Sequence, residues 1–97
     1  MGSITCIILT KNEEKNLPSA LQNAASWADE ILVVDSGSDD GTVEIAKKSG
    51  ASVIYRAWDG DFAAQRNFAL TGAHGDWVLY LDADERLTAG ALSLIHI

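Results

Sequence analysis

The chain predicts an α/β fold: a three-layer parallel sheet with strand order 3-2-1-4. Three observations carry this reading. Four runs rich in apolar and β-branched residues alternate with three stretches of helical periodicity, the alternation of a parallel sheet. The first, second and fourth runs are almost wholly apolar, as strands covered on both faces are. Right-handed crossovers carry strands two and three outward from the first. A central fourth strand must then join on the other side of strand one, which creates a topological switch point between them.

In chain order, Ile4-Thr5-Cys6-Ile7-Ile8-Leu9 is the first strand and Thr10-Lys11-Asn12-Glu13-Glu14 its polar exit loop. A helix follows from about Asn16 to Trp27, with Leu17, Ala20, Leu21, Ala24, Ala25 and Ala28 at helical spacing and Pro18 in the first turn, where a missing N–H costs little. The second strand, Glu30-Ile31-Leu32-Val33-Val34-Asp35, ends on a carboxylate. Its exit loop, Ser36 to Thr42, is dense in turn formers and capping residues. A short helix from Thr42 to Ser49 is closed by Gly50, and Ser52 to Tyr55 is a shorter third strand. Phe62 to Ala73 reads as a helix whose inner face is Phe62, Ala69, Leu70 and Ala73, stopped by His74-Gly75. The fourth strand, Trp77-Val78-Leu79-Tyr80-Leu81, reads as buried on both faces and runs straight into Asp82-Ala83-Asp84-Glu85.

The 97 residues make at most one small domain, or part of a larger one. Apolar content of 47% is ordinary for a globular chain. A net charge of -7 argues against nucleic acid or an anionic membrane as partner, yet leaves an anionic small ligand open if a metal supplies positive charge. The single cysteine, Cys6, sits in an apolar run and reads as a buried, inert thiol. No apolar run approaches the length of a transmembrane span, and the N-terminus lacks signal-peptide character.

Carboxylates clustered after a buried strand repel one another and want a cation, and hard oxygen ligands suit Mg²⁺ or Mn²⁺. Asp82, Asp84 and Glu85 are therefore the candidate metal ligands; a solvated acidic turn is the bland alternative. Asp39-Asp40 reads as a helix N-cap and first-turn charge, and His74 as a helix-end residue. The three tryptophans read as packing residues, with Trp58, in a loop, the one able to reach a sugar ring. The loop from Asp35 fails as an EF-hand, because Asp40 stands where that loop demands glycine.

Four segments together carry a resemblance: Ile-Ile-Leu-Thr-Lys-Asn-Glu-Glu, Val-Val-Asp-Ser-Gly-Ser-Asp-Asp-Gly-Thr, Ala-Gln-Arg-Asn and Leu-Asp-Ala-Asp-Glu. In this order and spacing they resemble family 2 glycosyltransferases of the GT-A fold, most of all the bacterial lipopolysaccharide-core glucosyltransferase-like members. The resemblance covers residues 3 to about 88 and implies the nucleotide-binding half of that fold. It implies that Thr10 and Asn12 flank the nucleotide base and that Asp35 closes its pocket. Arg66 and Asn67 would hold Asp35 and the crevice floor, or approach the diphosphate. Asp82 and Asp84 would form the Asp-x-Asp element, with Asp84 or Glu85 on Mn²⁺ or Mg²⁺ and another carboxylate near the ribose. Ser36 stands where many members carry a second Asp that reads the uracil edge, so a UDP-sugar is the favoured donor but another nucleotide stays open.

The implied enzyme is inverting and metal-dependent. It would move a sugar from a nucleotide-sugar to a hydroxyl of a saccharide or lipid-linked acceptor, in lipopolysaccharide or cell-envelope glycan synthesis. Its expected place is the cytoplasm, or the inner face of the membrane as a peripheral protein. No residue present is a credible catalytic base. Two rivals stand beside this reading. A haloacid-dehalogenase-like phosphatase also places Asp-x-Asp after an apolar strand, but on its first strand and with Thr or Val following. A non-catalytic nucleotide-binding fragment is the other. Residues 1–91 are expected to be the incomplete donor-binding part. Leu92-Ser93-Leu94-Ile95-His96-Ile97 matches the translation of a transposase sequencing adapter, so 92–97 is expected to be a non-native tail and the chain a truncated product without turnover.

Overall fold

A computed structural model of the chain describes residues 2–83. Strands β1 (Ile4–Thr10), β2 (Glu30–Asp35), β3 (Ser52–Tyr55) and β4 (Trp77–Asp82) alternate with helices α1 (Leu17–Ala25), α2 (Thr42–Lys48) and α3 (Phe62–Thr71). All pairings are parallel and the order is β3-β2-β1-β4, as the crossover argument requires. The register sets Thr10 beside Asp35, Asp35 beside Tyr55, and Leu9 beside Asp82. The polar ends of three strands therefore meet at one edge of the sheet.

The period-two alternation of β1 divides its side chains between two cores. Cys6 and Ile8 face a cluster with Leu17, Ala20, Leu21 and Ala24 of α1, Val33 of β2 and Ala46 of α2. Ile7 faces the opposite cluster with Leu32, Val34 and Ala69, against which Leu9, Phe68 and Tyr80 pack. Helices thus cover both faces, and the three layers are formed. Ile7 and Ile8 are fully buried, each contributing roughly 1.5–3 kcal/mol by leaving water. Cys6 is fully buried as well, and burial pushes its thiol up to about 12, which leaves it without thiolate character.

Four expectations need correction. In α3 the buried positions are Gln65 and Ala69, while Leu70 is 46% exposed and so does not belong to the inner face. The helix ends at Thr71 on Gly72, ahead of His74-Gly75, and the His74 ring pairs with Glu30 at 2.8 Å. β4 is only partly buried: Leu81 enters one core and Val78 and Tyr80 pack against the other, but Trp77 is 42% exposed and outside both, and among the described residues the strand pairs with β1 alone. Asp40 is not the α2 cap residue. Gly41 occupies that position, and Asp40 Oδ1 accepts from the Thr42 N–H at 3.0 Å and from the Thr42 hydroxyl.

Candidate functional site

The β1 and β2 exit loops are laced together. Asn12 adopts a left-handed φ of 55°, which turns its N–H onto the Ser38 hydroxyl at 2.8 Å and its side-chain carbonyl onto the Asp39 N–H at 2.7 Å. Glu13 N–H donates to the Thr42 hydroxyl and Glu14 N–H to Asp40, while Glu14 accepts from the Gly41 N–H. Asp35 lies at the centre and is only 3% exposed. Its Oδ1 accepts from the hydroxyls of Thr10 (2.9 Å) and Ser38 (2.5 Å); its Oδ2 accepts from the N–H groups of Gly37 (3.0 Å) and Ser38 (2.8 Å). Gly37, at φ 106°, supplies a backbone turn that other residues resist. Burial opposes ionisation of Asp35, but the donors of Ser38, Thr10 and Gly37 outweigh it and hold the pKa below the usual 3.8.

Beside this knot, a cleft of about 260 Å³ is lined by Leu9, Thr10, Lys11, Ser36, Trp58, Gln65 and Asp82. It opens at the carboxyl ends of β1, β2 and β4, at the switch point that the strand order creates. Thr10, Asp35, Ser36 and Asp82 are brought together here, with Asn12 one layer out in the loop lacing. Arg66 and Asn67 do not hold Asp35, whose carboxylate is held by Thr10, Gly37 and Ser38. The helical step explains this. Gln65 points into the cleft, so Arg66 is rotated about 100° away, and Asn67 about twice that. Arg66 lies instead over the Tyr80 ring, 5.6 Å from its centroid, and its carbonyl accepts from the Tyr80 hydroxyl. Burial raises the Tyr80 pKa, opposed by the Arg66 charge.

Two polar cleft residues carry no assigned role in the sequence reading, although Lys11 lies in the loop expected to line the crevice. Lys11 contributes a cation to the wall of an otherwise acidic site; its signal was its place inside the first motif. Gln65 is 1% exposed, donates from Nε2 to Ser36 Oγ at 2.9 Å and accepts at Oε1 from Arg56 at 2.9 Å. Arg56 is in turn held by Asp59 at 2.8 Å. A Gln followed by an alanine four residues on, on a helix facing the sheet, was the available signal for a buried amide.

Asp84 and Glu85 lie outside the described residues, as does the segment from Leu92 to Ile97. Among the described residues no three His, Cys, Asp or Glu side chains form a metal cluster. Asp82 is exposed at the cleft beside the oxygen-bearing Thr10 and Ser36, a hard-donor setting that fits Mg²⁺ or Mn²⁺.

Comparison with known proteins decides the family. The model for glycosyl transferase family 2 matches residues 5–95. The chain belongs to this family. An uncharacterized glycosyltransferase of Rickettsia typhi is 44% identical over 88 residues, which are 91% of this chain and 30% of that protein. A TPR repeat-containing protein of Synechococcus elongatus is 40% identical over 87 residues, covering 90% of this chain and 22% of that one. Among solved structures, mannosyl-3-phosphoglycerate synthase from Rubrobacter xylanophilus matches with a TM-score of 0.77 and 27% identity, over 90% of this chain and 32% of its own. Glucosyl-3-phosphoglycerate synthase from Mycobacterium tuberculosis, solved with Mn²⁺, UDP and glucosyl-3-phosphoglycerate, matches with a TM-score of 0.72 and 25% identity, over 88% of this chain and 36% of its own. The family 2 chain described here thus spans about a third or less of the proteins it resembles, and it shares their GT-A architecture.

Proposed function

We propose that this chain is the donor-binding part of a glycosyltransferase that moves a sugar from a nucleotide-sugar to an acceptor hydroxyl. The carrying observation is the cleft at the switch point, where Thr10, Lys11, Ser36 and Asp82 converge next to the fixed Asp35 loop. The M. tuberculosis synthase was solved with Mn²⁺ and UDP, which supports a divalent ion and a nucleoside diphosphate as the pair to test here. In this proposal Asp82, with Asp84 and Glu85 following in sequence, holds Mg²⁺ or Mn²⁺, and the ion neutralises charge on a diphosphate leaving group.

The residues of this chain do the remaining work. Ser36 presents its hydroxyl to the donor, Lys11 adds positive charge, and Leu9 and Trp58 give the apolar wall against which a planar or saccharide ring packs. The lacing through Asn12, Ser38 and Asp40 fixes the loops before ligand arrives, so little ordering is left to offset binding. Inversion at the anomeric carbon, by single displacement from an acceptor hydroxyl, is the course we propose for the whole enzyme.

Calorimetric titration with UDP-sugars and with sugar phosphates, each with Mn²⁺ and with EDTA, tests this. Metal-dependent binding of the UDP-sugars alone is expected. Binding of the sugar phosphates alone would favour a phosphatase, and UDP-sugar binding that survives EDTA would remove the metal from the proposal.

A further inference from the structure

Trp58 is a large aromatic side chain that the packed interior does not claim. It is 42% exposed, belongs to neither core cluster and lines the cleft. Trp27, by contrast, packs against the core beneath α1 and donates its indole N–H to Asn23 at 3.2 Å. An aromatic face left open in a cleft is a surface on which ligand rings pack. An indole in an untethered loop would be a poor one, because each binding event would have to order it.

This loop is tethered by one guanidinium. Arg56 follows β3 directly, and its own N–H donates to the Asp35 carbonyl at 3.0 Å. Its side chain spans both oxygens of Asp59, at 2.8 and 3.4 Å, while Nη1 also donates to the buried Gln65 amide oxygen at 2.9 Å. Residues 56 and 59 are thus fastened to each other and to α3, with Trp58 between them. The exit is fixed as well. Asp59 accepts from the Asp61 N–H at 3.0 Å, Gly60 turns at a left-handed φ of 83°, and Asp61 caps α3 by accepting from the Ala64 N–H. An ion pair with a half-exposed partner adds little to stability by itself. Its consequence here is geometric, since a planar fork that meets two partners fixes direction as well as distance.

We propose that Arg56 and Asp59 are positioning residues that hold the Trp58 ring in the cleft wall as a prebuilt stacking face for a ring of the donor. The stacking half rests on the nucleotide-sugar reading above; the positioning half does not need it. Base and sugar both offer a face that packs on an indole, and the ligands chosen below separate them. The 97-residue chain labelled with 5-fluorotryptophan should give three fluorine resonances, that of Trp58 being the one lost in Trp58→Phe. Asp59→Ala leaves the Arg56–Gln65 contact in place and removes only the tether. In the free protein it should move the Trp58 resonance toward that of the unfolded chain and leave the other two unmoved. Arg56→Lys, which keeps the charge without the fork, should move the same resonance. A Trp58 resonance unmoved by both substitutions overturns the positioning role.

Ligand is then added as UDP or as UDP-glucose, each with Mg²⁺, which is diamagnetic and leaves the lines sharp. A Trp58 shift with UDP assigns the stacked ring to the base, and a shift with UDP-glucose alone assigns it to the sugar. Calorimetry should show that affinity falls about tenfold in Trp58→Ala and far less in Trp58→Phe, which keeps a flat face. Asp59→Ala should cost about threefold, and nothing further in a Trp58→Ala background, if it acts through the ring. Binding that leaves the Trp58 resonance unmoved, or an Asp59→Ala loss that persists without the indole, overturns the stacking face. Binding of neither ligand would overturn the nucleotide-sugar reading and the stacking face together, while the ligand-free spectra still decide the positioning role.

Discussion

Asp35 and Asp82 end the two strands that flank β1, and each is followed in sequence by further carboxylates, yet their surroundings are opposite. Asp35 is sealed beneath the surface and accepts four hydrogen bonds from Thr10, Gly37 and Ser38. Its neighbour Asp40 is also occupied on both oxygens, by Thr42 and by the Glu14 N–H. Asp82 is exposed at the cleft. A run of acidic residues is thus no guide to a cation site until its donors are counted. Where backbone N–H and hydroxyl groups already saturate the oxygens, as at Asp35 and Asp40, the carboxylates hold the loops; the β4 end differs in its exposure to the cleft.

The largest effect should come from breaking the saturated side. Asp35→Ala strands two hydroxyls and two N–H groups in a buried place, and hydrogen bonds to a charged acceptor are worth about 1.5–3 kcal/mol each, so a loss of at least ~3 kcal/mol is expected in urea unfolding. The pH dependence has a definite sign. Because the folded-state pKa of Asp35 lies below 3.8, its contribution is complete above that value and is lost as pH falls through the lowered folded pKa. The Asp35→Asn protein should lack this acid-limb slope. Equal slopes in the two proteins would mean that the charge of Asp35 does not hold the loops.

The β4 side should behave the other way, losing ligand rather than stability. Outer-shell partners of a metal cost about 10–100-fold when removed, so if Asp82 and Asp84 hold the ion as proposed, Asp82→Asn or Asp84→Asn should weaken Mn²⁺-dependent UDP binding by at least about tenfold. The melting curve of Asp82→Asn should stay within about 0.5 kcal/mol of wild type, as expected for an exposed position. A large stability loss without a binding loss would place Asp82 among the structural carboxylates and erase the contrast with Asp35.

Much of this contrast's framework was legible in the sequence. The apolar runs around Ile7, Val33 and Leu81 fixed three strands, and handedness did the rest, because crossover chirality leaves few orders open. The convergence of Thr10, Asp35, Ser36 and Asp82 followed from strand ends alone. What could not be read was the partner of each polar group. By the resemblance Arg66 and Asn67 would hold Asp35 and the crevice floor or approach the diphosphate, whereas Asp35 is held by Thr10, Gly37 and Ser38, and the α3 side chain bonded within the cleft is Gln65, to Ser36. Leu70 was taken for core because apolarity was the only criterion, while a buried amide such as Gln65 is tolerated only when Arg56 and Ser36 satisfy it. Such three-body matches leave no periodicity.

The smallest effect, and the finest division between the two sides, concerns Asn12. Its resemblance-based role is to flank the base; its place in the structure is a left-handed turn that ties the β1 loop to Ser38 and Asp39. Two substitutions separate the contributions. Asn12→Gly accepts the positive φ freely and loses only the side-chain bond to the Asp39 N–H, which should cost about 0.5–1.5 kcal/mol. Asn12→Ala loses that bond and also resists the left-handed conformation, adding about 1–2 kcal/mol. If Asn12 acts through the loop, UDP affinity should fall in step with stability, least in the Gly variant and more in the Ala variant. If Asn12 touches the base, both variants should lose the same affinity, since both lose the same amide, whatever their stabilities. Paired urea unfolding and UDP titration of the two proteins distinguish these outcomes, and a matched affinity loss would move Asn12 from the rigid side of the cleft to its ligand-facing side.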